Sequence, residues 1–328
     1  MIPFLLLVTL VLSSNAWSLD ELWLIQPVSS TTTLTGNELL RIGEIHDVQN
    51  HLAEAFTYYE QARESFHATK QRQGEATALT RIGSILERQG RREAAAAQLR
   101  DALALFSKVP AGSAHGDALL ALGKVSAWLG SREEAGRLFE RAVDRYSRSR
   151  NVQGVISARI QLGLLRISDG LTQEGLRFLE QALKDASNRQ DNDQILAALL
   201  AFGDARWIMD EPDAAKQYYE RALAVVEQRP QAGMEAVLRY RMSVIYGAIG
   251  QQEKGIGSAK RAATLYQSSR DSSGEAASWA LLASLYEALG QHQEADDAGQ
   301  RALAIFRRRQ VVVHAAGQSE DPLLSESK

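Results

Sequence analysis

The sequence predicts an all-α solenoid of about seven helix-turn-helix hairpins, and three observations carry that expectation. The 328-residue chain repeats itself at a fixed step of forty residues. Small residues recur at fixed phases within that step. The composition, with 6 Pro, 8 Phe and long runs of Ala, Leu, Glu, Arg and Gln, favours helix over sheet.

The repeat is read from Ile42-Gly43. Steps of forty reach Ile82-Gly83, Leu122-Gly123, Leu162-Gly163, Phe202-Gly203, Met242-Ser243 and Leu282-Ala283. Seven positions after each marker stand Asn50, Gly90, Gly130, Gly170, Asp210, Gly250 and Gly290. These residue types tolerate the left-handed backbone that closes a helix before a tight turn. Next come two further small columns. The first holds Ala55, Ala95, Ala135, Gly175, Ala215, Gly255 and Ala295, and the second is alanine throughout, from Ala62 to Ala302. Two helices must approach closely there, and a larger side chain would overpack the contact by about 1–3 kcal/mol. Tyr59, Leu99, Phe139, Leu179 and Tyr219 fill the space between. Each unit is a hairpin that buries its apolar face only by stacking on its neighbours.

The segments follow in order. Residues 1–18 contain an apolar run, Phe4 to Leu12, too short to span a bilayer but suited to a signal-peptide core. Small residues fit cleavage after Ala16 or after Ser18, although no Lys or Arg precedes the run. Export to the periplasm or beyond is the expectation. Residues 19–33 form an extension in which Leu22, Trp23 and Leu24 would partly cap the first repeat. The array occupies 34–310. Repeat five opens with the acidic stretch AFGDARWIMDEPDAAKQYYERAL (201–223), which imitates an active site. The repeat phase makes Asp210 the turn residue, Pro212 the first residue of a helix, and Glu211 and Asp213 its first-turn acids. Repeat six is the least regular, with Ser243 and Gly255 replacing the usual Gly and Ala. Residues 311–328 read as a polar, disordered tail, with Val311 to Val313 able to add one turn to the last helix. The uncapped C-terminal repeat predicts self-association or a docking partner.

Other chemistry finds little support. The net charge of -3, from 37 basic and 40 acidic residues, gives no pull toward nucleic acid. Cysteine is absent, which excludes thiolate catalysis, thiolate metal sites and disulfides. Among His46, His51, His67, His115, His292 and His314 none shows metalloprotease spacing. The stretch GQQEKGIGSAK (250–260) imitates a phosphate loop, but its glycines belong to the turn and small columns. No Gly-x-Ser-x-Gly elbow marks a triad. The expectation is no catalytic residue, no cofactor and no metal, and no segment apolar enough to span a membrane.

The order small, turn, small, Ala resembles the tetratricopeptide repeat, in a forty-residue bacterial variant of the usual thirty-four. The resemblance implies a right-handed superhelix whose first helices line a concave groove. It places groove residues three before each marker and one, four and five after it. An apolar strip of Trp128, Leu164, Ile167, Trp207 and Tyr240 would then run along the middle, with Lys124 and Asp204 orienting a ligand. The same spacing fits core packing under the second helices, and burial separates the two readings. Trp279 is expected in the core. The groove columns three before and one after the marker contain no Asn and only one Lys, Lys124, so a terminal-carboxylate clamp is not expected. The resulting expectation is a non-enzymatic scaffold binding a protein or peptide in the cell envelope. The alternative is a sensor module whose effector is on another chain.

Overall fold

The computed structural model describes residues 34–109, 112–228 and 230–318, and these form fourteen helices with no strand among them. The expected signal peptide (1–18), the extension (19–33) and residues 319–328 lie outside the described residues. Repeat one comprises α1 (Gly36–Val48) and α2 (Leu52–Ala68), and repeat two α3 (Arg72–Arg88) and α4 (Arg92–Phe106). Repeat three is α5 (Ser113–Trp128) with α6 (Arg132–Arg148), and repeat four α7 (Val152–Ser168) with α8 (Thr172–Asn188). Repeat five is α9 (Asn192–Ile208) with α10 (Pro212–Gln228), and repeat six α11 (Ala232–Ala248) with α12 (Gln252–Ser268). Repeat seven is α13 (Ser272–Ala288) with α14 (His292–Gln318).

A helix of 17 residues recurs through the array, and with a three-residue turn it sets a step of twenty. Most steps among the described residues end in the same cap. At the first turn of repeat two, Gly90 has φ +79°, its N–H donates to the Glu87 carbonyl, and the Arg91 N–H donates to the Leu86 carbonyl. That pair of bonds is the Schellman arrangement, which satisfies two of the helix's orphan carbonyls. Asn50 and Asp210 adopt the same positive φ, as the sequence expectation requires. So do Lys70, Arg150, Gln190 and Arg270, in the turns between repeats. Pro230 falls in this twenty-residue series, where its ring forbids positive φ.

The small columns are close helix contacts. A Cβ on Gly43 would stand 2.6 Å from the Tyr59 ring, and one on Gly123 would stand 2.5 Å from the Phe139 ring. The repeat-six irregularity is compensated locally, because the Ser243 hydroxyl donates to the Gly255 carbonyl at 2.8 Å. Most successive first helices pack on one another, as α3 does on α5 and α5 on α7, while second helices pack chiefly against first helices. The first helices therefore lie on the inside of the curve.

One contact joins residues 220 positions apart. The Asn50 side-chain amide donates to the Arg270 carbonyl at 3.0 Å, and the Arg270 guanidinium lies 3.0 Å from His51 Nε2. Asn50 lies at the turn inside repeat one, and Arg270 at the turn between repeats six and seven. These are opposite edges of the helical ribbon. The array thus completes about one superhelical turn in six repeats and closes on itself along this seam.

The last helix is longer than the others. α14 continues to Gln318, past the expected limit at 310. Nothing between Arg307 and Ala316 breaks a helix, and Arg, Gln and Ala favour one. On α14, Phe306 is exposed, although the same column is buried at Phe66, Phe106 and Tyr146.

Candidate functional site

A cleft of about 550 Å³ opens on the inner side of repeats three to five. Its walls come from the last turns of α5, α7 and α9, and its floor includes Phe139 of α6. Lys124, Trp128 and Leu164, three of the residues expected from the sequence, converge there with Ile208. The geometry follows from the repeat, since positions one and five after each marker lie one helical turn apart on the face turned away from the second helix.

Trp128 is 66% exposed, which places it in the groove rather than the core. Its orientation is set by Arg92, whose guanidinium sits 4.7 Å from the centre of the indole ring. Arg132 lines the same cleft and pairs with Asp169 and the Ser168 hydroxyl at the end of α7. Both arginines open a second helix, where a cation opposes the helix dipole. Sequence reasoning missed them, yet that unfavourable placement was the available signal. Each reaches across to the end of the next repeat's first helix.

The remaining expected residues divide. Trp207 is 37% exposed and adjoins Ile208, on the rim rather than in the cleft lining. Tyr240 is half-buried against the cluster around Ala236, Leu265 and Tyr266. Ile167 is a correction, because it is only 4% exposed and belongs to the core. The cause lies opposite, at Gly175, where a Cβ would stand 2.5 Å from Ile167 Cγ1. The isoleucine fills the space that alanine occupies in most repeats.

Asp204 is also committed internally. It accepts the Tyr219 hydroxyl at 2.6 Å, and Arg241 Nε of α11 lies 3.4 Å from the same oxygen. Burial raises the Asp204 carboxyl above the ordinary carboxylate range, against the opposing pull of Arg241 and the Tyr219 hydroxyl. The Tyr219 hydroxyl is pushed up in turn, first by burial and then by Asp204. This pair braces repeat five against repeat six and is not available to orient a ligand. In repeats one and two the groove charges likewise neutralise one another, Glu44 with Arg81 at 2.9 Å and Asp47 with Arg88. Trp279, expected in the core, is half-buried against the Ile256 and Leu282 cluster, with Arg301 4.6 Å over its ring.

Stacked hairpins around an apolar cleft define a helical-repeat interaction module. Family models of the tetratricopeptide repeat match residues 76–109, 196–225 and 276–307. The chain thus contains tetratricopeptide repeats. No curated protein matches it in sequence. Among solved structures, it is similar to a Rap protein complexed with competence and sporulation factor. The TM-score is 0.67 at 14% identity, over 85% of this chain and 78% of that one. It is also similar to the Rap conjugation gene regulator of plasmid pLS20 in complex with the Phr* peptide. There the TM-score is 0.64 at 13% identity, over 94% and 90% of the two chains. A third similarity is to a signal transduction ATPase with a tetratricopeptide-repeat sensor from Pyrococcus horikoshii. That match has a TM-score of 0.57 at 14% identity, over 79% of this chain and 41% of that one. At these identities the likeness establishes the fold. Among the described residues, no group of three or more His, Asp or Glu side chains is arranged to hold a metal ion.

Proposed function

We propose that the chain is a non-enzymatic adaptor that binds a peptide segment of a partner protein in the groove, centred on the cleft of Lys124, Trp128 and Leu164. The observation that carries this reading is the exposed, Arg-braced Trp128 beside apolar walls. A rigid aromatic buries a large area at small entropic cost and dominates binding energy where it is found. The peptide named with one of the structural neighbours supports a peptide as the ligand class. We further propose that residues 1–18 direct the protein out of the cytoplasm, so that it works in the cell envelope.

Trp128→Ala tests the first part. Peptide affinity measured by calorimetry is expected to fall by about 2 kcal/mol or more. The melting temperature should barely move, since the ring has little core contact to lose. A variant that binds normally, or one that unfolds, sinks the groove reading. The second part is tested by N-terminal sequencing of the protein from its native host. A mature chain beginning at Trp17 or Leu19 supports export, and an intact cytosolic chain refutes it.

The sensor reading has its own observation. The seam between Asn50 and Arg270 couples the two edges of the groove wall, so a ligand that changed the superhelical pitch would be read out there.

A further inference from the structure

The cleft has a charge character that distinguishes it from three other clefts on the array. Its lining contains two cations, Lys124 and Arg132, and no carboxylate. In three other clefts cations and carboxylates share the walls. The cleft between α2 and α4 sets Arg63 beside Glu64, Glu75 and Asp101. The cleft between α6 and α8 sets Arg150 and Arg159 beside Asp185, and the seam sets Arg88 and Arg270 beside Asp47 and Asp271. An all-cationic lining in a chain of net charge -3 therefore departs from the local pattern.

Within the cleft the two cations differ. Arg132 is neutralised by Asp169. Lys124 has no ion-pair or hydrogen-bond partner among the described residues, although it is half-buried between apolar neighbours. Arg92 adds a further positive charge over Trp128 and likewise meets no carboxylate among the described residues. Asp204, the acid that would have balanced the groove, is held by Tyr219 and Arg241. What remains is an apolar cleft with an unpaired, partly desolvated ammonium at its wall, where a charge interacts more strongly than in bulk water.

We propose that the cleft selects peptide segments in which an aspartate or glutamate side chain lies close to a bulky apolar residue. This rests on the groove reading above and names its ligand chemistry. The apolar side chain lies against Trp128, Leu164 and Ile208, and the acidic side chain pairs with Lys124. Recognition needs no free chain terminus.

The test is selection of random heptapeptides, displayed on phage, against the full purified chain and against Lys124→Glu. Peptides enriched on the wild type should carry Asp or Glu within about three positions of Leu, Ile, Phe or Trp. Those enriched on Lys124→Glu should carry Lys or Arg in its place. A synthetic, C-terminally amidated winner should bind Lys124→Glu about ten-fold more weakly, and an Asp-to-Lys version of it should regain affinity. Lys124→Gln should fall between the two, and thermal melts show that both variants fold. Enriched peptides with no acidic preference, or an acidic preference that survives Lys124→Glu, overturn the inference while leaving a peptide groove in place. No enrichment at all, or winners indifferent to Trp128→Ala, removes the groove reading and this inference with it.

Discussion

His115 is buried on α5, stacked 5.4 Å from the Phe106 ring, with no hydrogen-bond partner for its Nδ1. Burial, then Arg145 and Arg141, hold its imidazolium below the ordinary histidine range. The sign of the linkage follows. Below about pH 6.5 the unfolded chain takes up this proton and the folded chain does not, so stability falls as the pH drops. Replacing His115 with Phe should lessen the loss of melting temperature between about pH 7.5 and 5.5. Equal slopes in the two proteins would show that His115 is not the group responsible. The residue scale is also where the sequence was least legible. Lys124, Trp128 and Leu164 could be given groove positions only by joining the repeat phase to the family resemblance. Ile167 shared that phase and still went to the core, because the deciding residue was Gly175, eight positions away on the facing helix.

Between elements, the array trades volume from one helix to the next. The Tyr146 ring of α6 lies over Gly116 of α5 and Gly154 of α7, where a Cβ on Gly116 would stand 2.6 Å from it. Phe66 is seated the same way between Gly36 and Gly74. In repeat four the sizes reverse, with Ala186 in the aromatic column and Ile156 in the column of Gly116, both fully buried. The trade predicts strong coupling. Gly116→Ile alone overpacks, Tyr146→Ala alone leaves a cavity costing about 3–5 kcal/mol, and the pair should recover about 2 kcal/mol of their summed cost. A double-mutant cycle in urea measures it, and simple additivity would contradict it. The hairpins themselves were legible, because each small column reports a close approach. The compensation was not, because it pairs residues thirty positions apart on different helices. The junction of repeats five and six is built differently again. There α9 and α11 have little direct packing, and Asp204 bridges to Arg241 instead.

At the scale of the whole array, the forty-residue step fixes which units are neighbours and is silent on where the stack curves back. Small rotations accumulate over six repeats before Asn50 meets Arg270, and no local pattern records their sum. Replacing both residues with Ala should therefore be felt far away. Amide exchange by mass spectrometry is expected to quicken in α1 and α2 as well as around residue 270. Changes confined to the mutated turns would mean that the seam holds nothing together. The contact also alters what kind of object the solenoid is. An open stack is a sum of units and nearest-neighbour terms, and it frays inward from two independent ends. Pinning the first unit to the sixth imposes a boundary condition on that sum. If the seam holds, repeat one cannot melt without breaking it, and the chain should melt more like a ring than a line.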